Sequence, residues 1–458
     1  MRNKLSIVIA VLGVVLAPAA AWAVSYASGI QNLGGGNYSF VLNEASSGTK
    51  IQRTGDTQLD LGALSKGTHT FNIGSGTAFD IKAYTSTAPG WTKISNDADN
   101  ASKYYTPKGV AVNQNAASPY FGRIYVGESR GGTTAGVVRT TTDGLYIMGA
   151  DQSDVTAQGN AAWTGGVSWT TDGTQASSPF KLSIAPDDSI YLADWSDTHS
   201  GVWRSNPNGS GTFDEILDNT GRTATGLVAG LHGSVPATYV EGTGANTKLY
   251  TLDEDYNAGS STGSILRYDI GTATNYNIAP VEETEDDTAV IANLRADLVR
   301  DEDGSWWVAQ YRSTETAGVP ALTRWLPGGQ APVYNSGVDN GLAPLLRAYG
   351  NLDIHNGLDL LAVGARSGAG IYILDISNPN APVLLATIAQ TGYAQDVAFD
   401  AAGNLYVMSS STETLRIWSP GGSWKSSTSS DGSFTLVPEP ATLALLAMGA
   451  LSMLRRRR

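Results

Sequence analysis

The stretch Asp396-Val397-Ala398-Phe399-Asp400-Ala401-Ala402-Gly403-Asn404-Leu405-Tyr406-Val407-Met408-Ser409 decides how this chain folds. An apolar run, a polar turn containing Gly403, and a second apolar run around an aromatic read as a β-hairpin. The pattern returns at Lys181-Leu182-Ser183-Ile184-Ala185-Pro186-Asp187-Asp188-Ser189-Ile190-Tyr191-Leu192-Ala193-Asp194. It returns again at Asp297-Leu298-Val299-Arg300-Asp301-Glu302-Asp303-Gly304-Ser305-Trp306-Trp307-Val308-Ala309-Gln310. Looser copies lie at Gly109–Ser129, Thr247–Asp255 and Asn351–Ala365. The second strands are anchored by Tyr125, Tyr191, Tyr250, Trp307, Leu361 and Tyr406. A third apolar strand follows each hairpin, through Tyr146, Val202, Leu266, Thr323, Tyr372 and Arg416 in turn.

Such a recurrence means one small unit repeated, and no single unit buries both faces of its own sheet. Three strands and their turns, six times over, are the pattern of a β-propeller, whose twisted sheets stack radially and must close into a ring. Tyr and Trp then fill the wedges between blades. We expect an all-β chain with a six-bladed propeller over residues 95–436. The segments near Ala88–Pro107 and Trp418–Val437 either pair to close that ring or form a seventh blade. Composition agrees: of 458 residues 53 are Gly and only 16% are charged, which excludes a coiled coil and a disordered chain. The absence of Cys excludes disulfides, thiolate metal sites and Cys nucleophiles. The copies resemble NHL-type six-bladed propellers, in which a D-x-x-G-x-x-Y-V-A-D motif marks the inner hairpin. Asp400–Ser409 and Asp301–Gln310 match it best.

Residues 24–94 read differently. Short alternating runs such as Tyr38-Ser39-Phe40-Val41-Leu42 and His69-Thr70-Phe71-Asn72-Ile73, punctuated by Gly and Ser, suit a small β-sandwich. Leu61 to Phe71 resembles the end of the Ig-like module of flagellar hook-capping proteins, where a G-x-L-x-x-G-x-H-x-F pattern joins two strands. The resemblance implies a spacer or packing domain, with His69 as a strand residue.

Both ends read as addresses. Arg2 and Lys4 precede the apolar run Leu5–Ala17, and Ala21 and Ala23 stand where a signal peptidase needs small residues. Residues 1–23 are expected to be a signal peptide, with Val24 as the first mature residue. The far end runs Val437-Pro438-Glu439-Pro440, an uncharged Ala441–Leu454, then Arg455, Arg456, Arg457 and Arg458. Residues 441–454 suit a short membrane helix whose arginines stay in the cytoplasm, and the prolines keep the preceding motif extended. Over residues 437–458 this order resembles the PEP-CTERM sorting signal of Gram-negative bacteria. The resemblance implies processing by exosortase, a membrane protease, after export, and association with extracellular polysaccharide or other matrix proteins at the cell surface.

The chain has 29 Lys and Arg against 42 Asp and Glu; setting aside Arg2, Lys4, Glu439 and Arg455–Arg458 leaves 23 against 41. Such a body repels nucleic acid. Gly-x-Ser-x-Gly occurs around Ser129 and Ser261, without the following helix that a nucleophile elbow needs. None of His69, His199, His232 and His355 shows a metal-binding spacing. The acidic runs Asp253–Asp255 and Glu282–Asp287 lack EF-hand spacing and suit solvated loops or Ca²⁺. Three residues past the anchors stand Glu128, Asp194, Asp253, Gln310, Gly364 and Ser409. In a propeller these positions form a ring near one mouth. Glu128, Asp194 and Asp253 on consecutive blades would then make an arc for a cation such as Ca²⁺ or a polar ligand. Alternatively, each acid caps its own strand end. We expect a non-enzymatic exported binding or structural protein of the surface or matrix. The alternative is a divalent-metal-dependent hydrolase of lactonase or glycosidase type, although no Asn occupies the ring positions.

Overall fold

The computed structural model describes residues 23–438 apart from 54–57, 77, 137–138, 157–160, 170, 173–174, 177, 197–200, 219–221, 224–225, 228–233, 254–263, 285–289, 292–294, 312–319, 339–347, 366–369, 390–391 and 410. The three best copies fold as expected, each around a tight turn. Gly403 N–H donates to Asp400 O at 3.0 Å, Gly304 N–H to Asp301 O at 3.0 Å, and Asp188 N–H to Ala185 O at 2.9 Å. All three turn residues have positive φ: 76°, 85° and 70°. Gly adopts this conformation freely, and Asp is among the few others that tolerate it.

The described residues contain six larger antiparallel sheets built on those hairpins. Blade 1 holds Pro107–Val112, Ile124–Glu128 and Gly144–Met148. Blade 2 holds Leu182–Ile184, Ile190–Asp194, Gly201–Ser205 and Asp214–Leu217. Blade 3 holds Ala237–Glu241, Lys248–Leu252, Ile265–Tyr268 and Val281–Thr284. Blade 4 holds Ala296–Arg300, Trp306–Gln310, Leu322–Trp325 and Tyr334–Asn335. Blade 5 holds Ala348–His355, Leu360–Ala365, Ile371–Asp375 and Val383–Ile388. Blade 6 begins with Ala394–Phe399 and Leu405–Ser409. The first strand of each blade lies beside the first strand of the next, and blade 6 returns to blade 1. The ring is closed.

Each seam between blades has its own apolar core, as stacked twisted sheets require. Tyr125, Leu145 and Ile147 meet Ile190 and Leu192 between blades 1 and 2. Tyr250 and Leu252 meet Leu298, Trp306 and Trp325 between blades 3 and 4. Val110, Val126 and Met148 meet Tyr406, Met408 and Leu415 at the closing seam. Trp306, Trp307 and Trp325 are fully buried; truncating such a side chain to Ala costs about 3–5 kcal/mol. One anchor is out of phase. Leu361 packs back toward blade 4, with Trp307, whereas Tyr406 packs forward. The forward-facing residue of blade 5 is its neighbour Leu360, which packs with Phe399 and Leu405 of blade 6, since successive strand residues face opposite sides.

The segments near Ala88–Pro107 and Trp418–Val437 do pair. Thr414–Ser429 is one long strand whose beginning is the third strand of blade 6. Phe79–Lys93 runs antiparallel to it, with Lys93 opposite Trp418 and Thr92 opposite Ser419, and so supplies the outer edge of blade 6. Beyond the propeller the same two strands continue into a sandwich. Phe79–Lys93 pairs there with Ser46–Arg53, which pairs with Gln58–Leu64. Ala27–Gly34, Asn37–Leu42 and Gly67–Asn72 form the facing sheet. Phe40, Leu42 and Phe71 of one sheet pack on Ile51, Phe79 and Ile81 of the other. The sandwich of residues 24–94 is therefore completed from the opposite end of the chain, by Ser423–Ser429 and by Phe434–Pro438 beside it. Val437 and Pro438 lie in that last strand. Among the described residues no helix is long and apolar enough to cross a membrane; the helix expected at 441–454 and Glu439, Pro440 and the four arginines lie outside the described residues, as does Ala21.

Candidate functional site

The inward edge of each first strand has backbone groups with no further strand to pair them. The chain satisfies many of them with side chains that reach across the seams. Asp297 Oδ2 on blade 4 accepts from Leu352 N–H of blade 5 at 3.3 Å. Asp353 Oδ2 on blade 5 accepts from Phe399 N–H of blade 6 at 2.6 Å. Asp396 Oδ2 on blade 6 accepts from Val110 N–H of blade 1 at 2.8 Å. Asn351 Nδ2 donates to Ala394 O at 2.7 Å, and the Ser183 and Thr238 hydroxyls meet at 2.8 Å between blades 2 and 3.

Lys181 ties this wall together. Just before the first strand of blade 2, its Nζ lies 2.5 Å from Asp297 Oδ2 and 3.1 Å from Asp396 Oδ1. The three residues hold the same register. Each stands two positions before the residue paired with its blade's anchor, namely Ser183 with Tyr191, Val299 with Trp307 and Ala398 with Tyr406. Blades 2, 4 and 6 thus meet across the axis. Lys181 and Asp396 are 3% exposed and Asp297 is 8% exposed, so the cluster is a plug rather than an open pore. Burial alone would lower the Lys181 ammonium, but the two carboxylates more than offset it and raise its pKa. Burial pushes Asp396 up to about 7, with Lys181 opposing and the Asp297 charge adding to the rise. Burial likewise pushes Asp353 up to about 7, reinforced by Asp297 and Asp396. Asp297 is also raised by burial, against the pull of Lys181. One ammonium among three carboxyls leaves an excess of negative charge, which the cluster relieves by holding protons near neutral pH.

Two of the three acids expected on a common arc are engaged within their own blades. Glu128 and Asp194 end the second strands of blades 1 and 2, and Asp253 follows that of blade 3. These strands lie one step out from the first strands of their blades. Glu128 is fully buried and accepts from Tyr105 N–H at 2.9 Å and from Thr106 N–H. Burial pushes it up to about 8 against those bonds. Asp194 accepts from Ser178 Oγ–H at 2.6 Å and Ser196 N–H at 2.9 Å. Gln310, at the same position of blade 4, donates to Val290 O and Pro320 O at 2.7 Å each. Glu128, Asp194 and Gln310 are thus engaged with their own blades' connections. Asp253 is buried. Among the described residues no three His, Asp or Glu side chains form a group that would hold a metal.

The other candidates also have structural partners. Ser129 Oγ donates to Thr106 O at 2.9 Å. His69, half-buried on the strand Gly67–Asn72, meets Ser65 O at 2.7 Å. His355 is buried, meets Ala401 O at 3.2 Å, and has its pKa lowered by burial. Glu283 pairs with Arg267 at 3.1 Å. His199, His232 and Ser261 lie outside the described residues.

The family model of the PEP-CTERM protein-sorting motif matches residues 436–458, so the chain ends in that motif. No curated protein matches the chain in sequence. Among solved structures it is similar to a gluconolactonase from Xanthomonas campestris, at 13% identity over 75% of this chain and 90% of that one, with a TM-score of 0.39. It is similar to an auxiliary nutrient binding protein from Bacteroides ovatus, at 10% identity over 84% and 94%, TM-score 0.42. A protein of unknown function from Bacteroides thetaiotaomicron is similar at 12% identity over 86% and 98%, TM-score 0.41. None of these likenesses assigns this chain an activity.

Proposed function

We propose that this is an exported, non-enzymatic protein of the Gram-negative cell surface or extracellular matrix, presenting a propeller face as a binding or structural surface. The observation that carries the reading is the sorting motif at residues 436–458, attached to a propeller whose axis is stopped by the chain's own side chains. A signal peptide of residues 1–23 delivers the chain to the export machinery. Residues 441–458 then hold it at the membrane until exosortase acts beside Pro438-Glu439-Pro440. The sandwich serves as an Ig-like spacer, and extracellular polysaccharide or a matrix protein is the partner. The acidic body keeps it away from nucleic acid.

The test uses the exported protein purified from its producer. Fractionation places it outside the inner membrane, and immobilised extracellular polysaccharide retains it without turnover. Recovery from the cytoplasm would defeat the export reading. A stoichiometric Ca²⁺ or Mn²⁺ whose removal abolishes hydrolysis of a lactone or glycoside would defeat the non-enzymatic one. Glu128, Asp194 and Asp253 would then be the first residues to replace.

A further inference from the structure

A second buried carboxylate lies on blade 6, and no basic side chain is paired with it among the described residues. Asp400 is fully buried. Its Oδ1 accepts from Ala402 N–H and Asn404 N–H, both at 2.9 Å, and its Oδ2 accepts from Asn404 Nδ2 at 2.9 Å. Burial pushes its pKa up to about 7 against these bonds. Asn404 is itself a bridge. Its Oδ1 accepts from Val24 N at 3.1 Å and its Nδ2 donates to Val24 O at 3.0 Å. Val24 N also lies 2.9 Å from Ser419 Oγ. A peptide nitrogen has one hydrogen to share between those two acceptors, whereas an ammonium has three.

The residues that follow are threaded between propeller and sandwich with each partner in place. Ser25 N–H donates to Thr85 Oγ1 at 3.0 Å, Tyr26 N–H to Asn43 Oδ1 at 2.8 Å, and Ser426 Oγ–H to Ser25 O at 2.7 Å. Val24 and Tyr26 pack with Phe121, Ala402 and Trp424. We propose that Val24 is the mature N-terminus and that its α-ammonium is the counter-charge of Asp400, seated on Asn404 and Ser419 within the junction. The inference rests on the export reading, because cleavage after Ala23 makes the group. Hydrolysis of the Ala23–Val24 peptide consumes one water, leaves a carboxylate on Ala23, and leaves an amine on Val24 that takes up a proton. Ala23 is fully buried in the intact chain, so cleavage precedes docking, and docking then seals the new terminus from water.

The experiment is carried out on the exported protein. Intact mass gives the N-terminal residue. Acylation of the α-amine, followed through the N-terminal peptide, gives its reactivity in the native and urea-unfolded states. We expect Val24, and native labelling slower by at least about 100-fold, the protection of a group exposed only by local opening. Labelling at equal rates would overturn the proposal. A start at any residue other than Val24 would overturn it while leaving export intact, whereas protein retained in the cytoplasm with residues 1–23 attached would fail the export reading itself. As a second measurement, D400N is compared in chains beginning at Val24 and in chains extended by Met and Ala23. It lowers the melting temperature of the first and leaves the second unchanged or raises it; equal effects in both would count against the pairing.

Discussion

Asp396 lies inside the first strand of blade 6 and Asp400 one residue past its end; both are hidden from water, yet their charges are handled in opposite ways. Asp396 looks into the axis, where Lys181 from blade 2 reaches it at 3.1 Å. Asp400 looks into the junction with the sandwich, where the nearest bridge is the Asn404 amide and beyond it Val24. A side chain far away in sequence completes the first site. The second is completed, on our proposal, only when a peptide bond is cut. The difference teaches that burial of a carboxylate does not by itself identify its partner, since the cation can come from a residue or from a chain end.

The comparison breaks most sharply at Lys181. K181M leaves Asp297 and Asp396 buried without a cation, and we expect a loss of about 3–5 kcal/mol in urea unfolding at pH 7. Retention of full stability would remove Lys181 as the keystone of the axis. Next comes Asn404. N404A takes the amide donor from Asp400 Oδ2 and removes one of the two partners of each Val24 polar group, and should cost about 1–3 kcal/mol in the same assay. A cost near zero would separate the junction from blade 6.

The pH response sharpens the contrast. Folding raises Asp396 and Asp353 to about 7 from an ordinary value of about 4, so the folded state binds the extra protons. The stability these groups contribute is full below about pH 4 and is lost as the pH climbs through about 7. Calorimetry should therefore show a melting temperature that falls from pH 5 to pH 8, and the K181M variant should fall more steeply. A flat wild-type profile would mean that the plug is already neutralised by another cation. The smallest effect belongs to the surface. Lys50 and Asp60 meet at 3.6 Å while 35% and 62% exposed, and K50A should change stability by less than about 0.5 kcal/mol.

The hairpins, their turns and the radial closure were legible because each strand is short and apolar and because the turn residues demand particular backbone angles. The axis was not. Lys181, Asp297 and Asp396 each open one of the three clearest copies of the repeat, where a lone charge at the start of an apolar run reads as a strand-end residue. They acquire a joint role only when alternate blades converge, bringing Lys181 to partners 116 and 215 residues away. The acids at Glu128 and Asp194 were visible, but their hydrogen-bond partners, Tyr105, Thr106, Ser178 and Ser196, come from connections whose course no periodicity reports. The phase of blade 5 was not legible because Leu360 and Leu361 are both apolar, and the pattern does not say which of the two faces forward. Through Pro420-Gly421-Gly422 the strand continues, with register shifts between Ser419 and Gly421 and between Gly421 and Ser423.

That uninterrupted strand has a mechanical consequence. On the proposed tail anchoring, tension enters at Pro438, and Phe434–Pro438, paired with Thr414–Ser429, hands it to that strand. The pull then lies along the strands, so the ladder bonds to Phe79–Lys93 bear it together in shear instead of opening one at a time. Force spectroscopy that pulls between Val24 and Pro438 should meet one high rupture event for propeller and sandwich jointly, since two continuous beams rather than a linker join the pair.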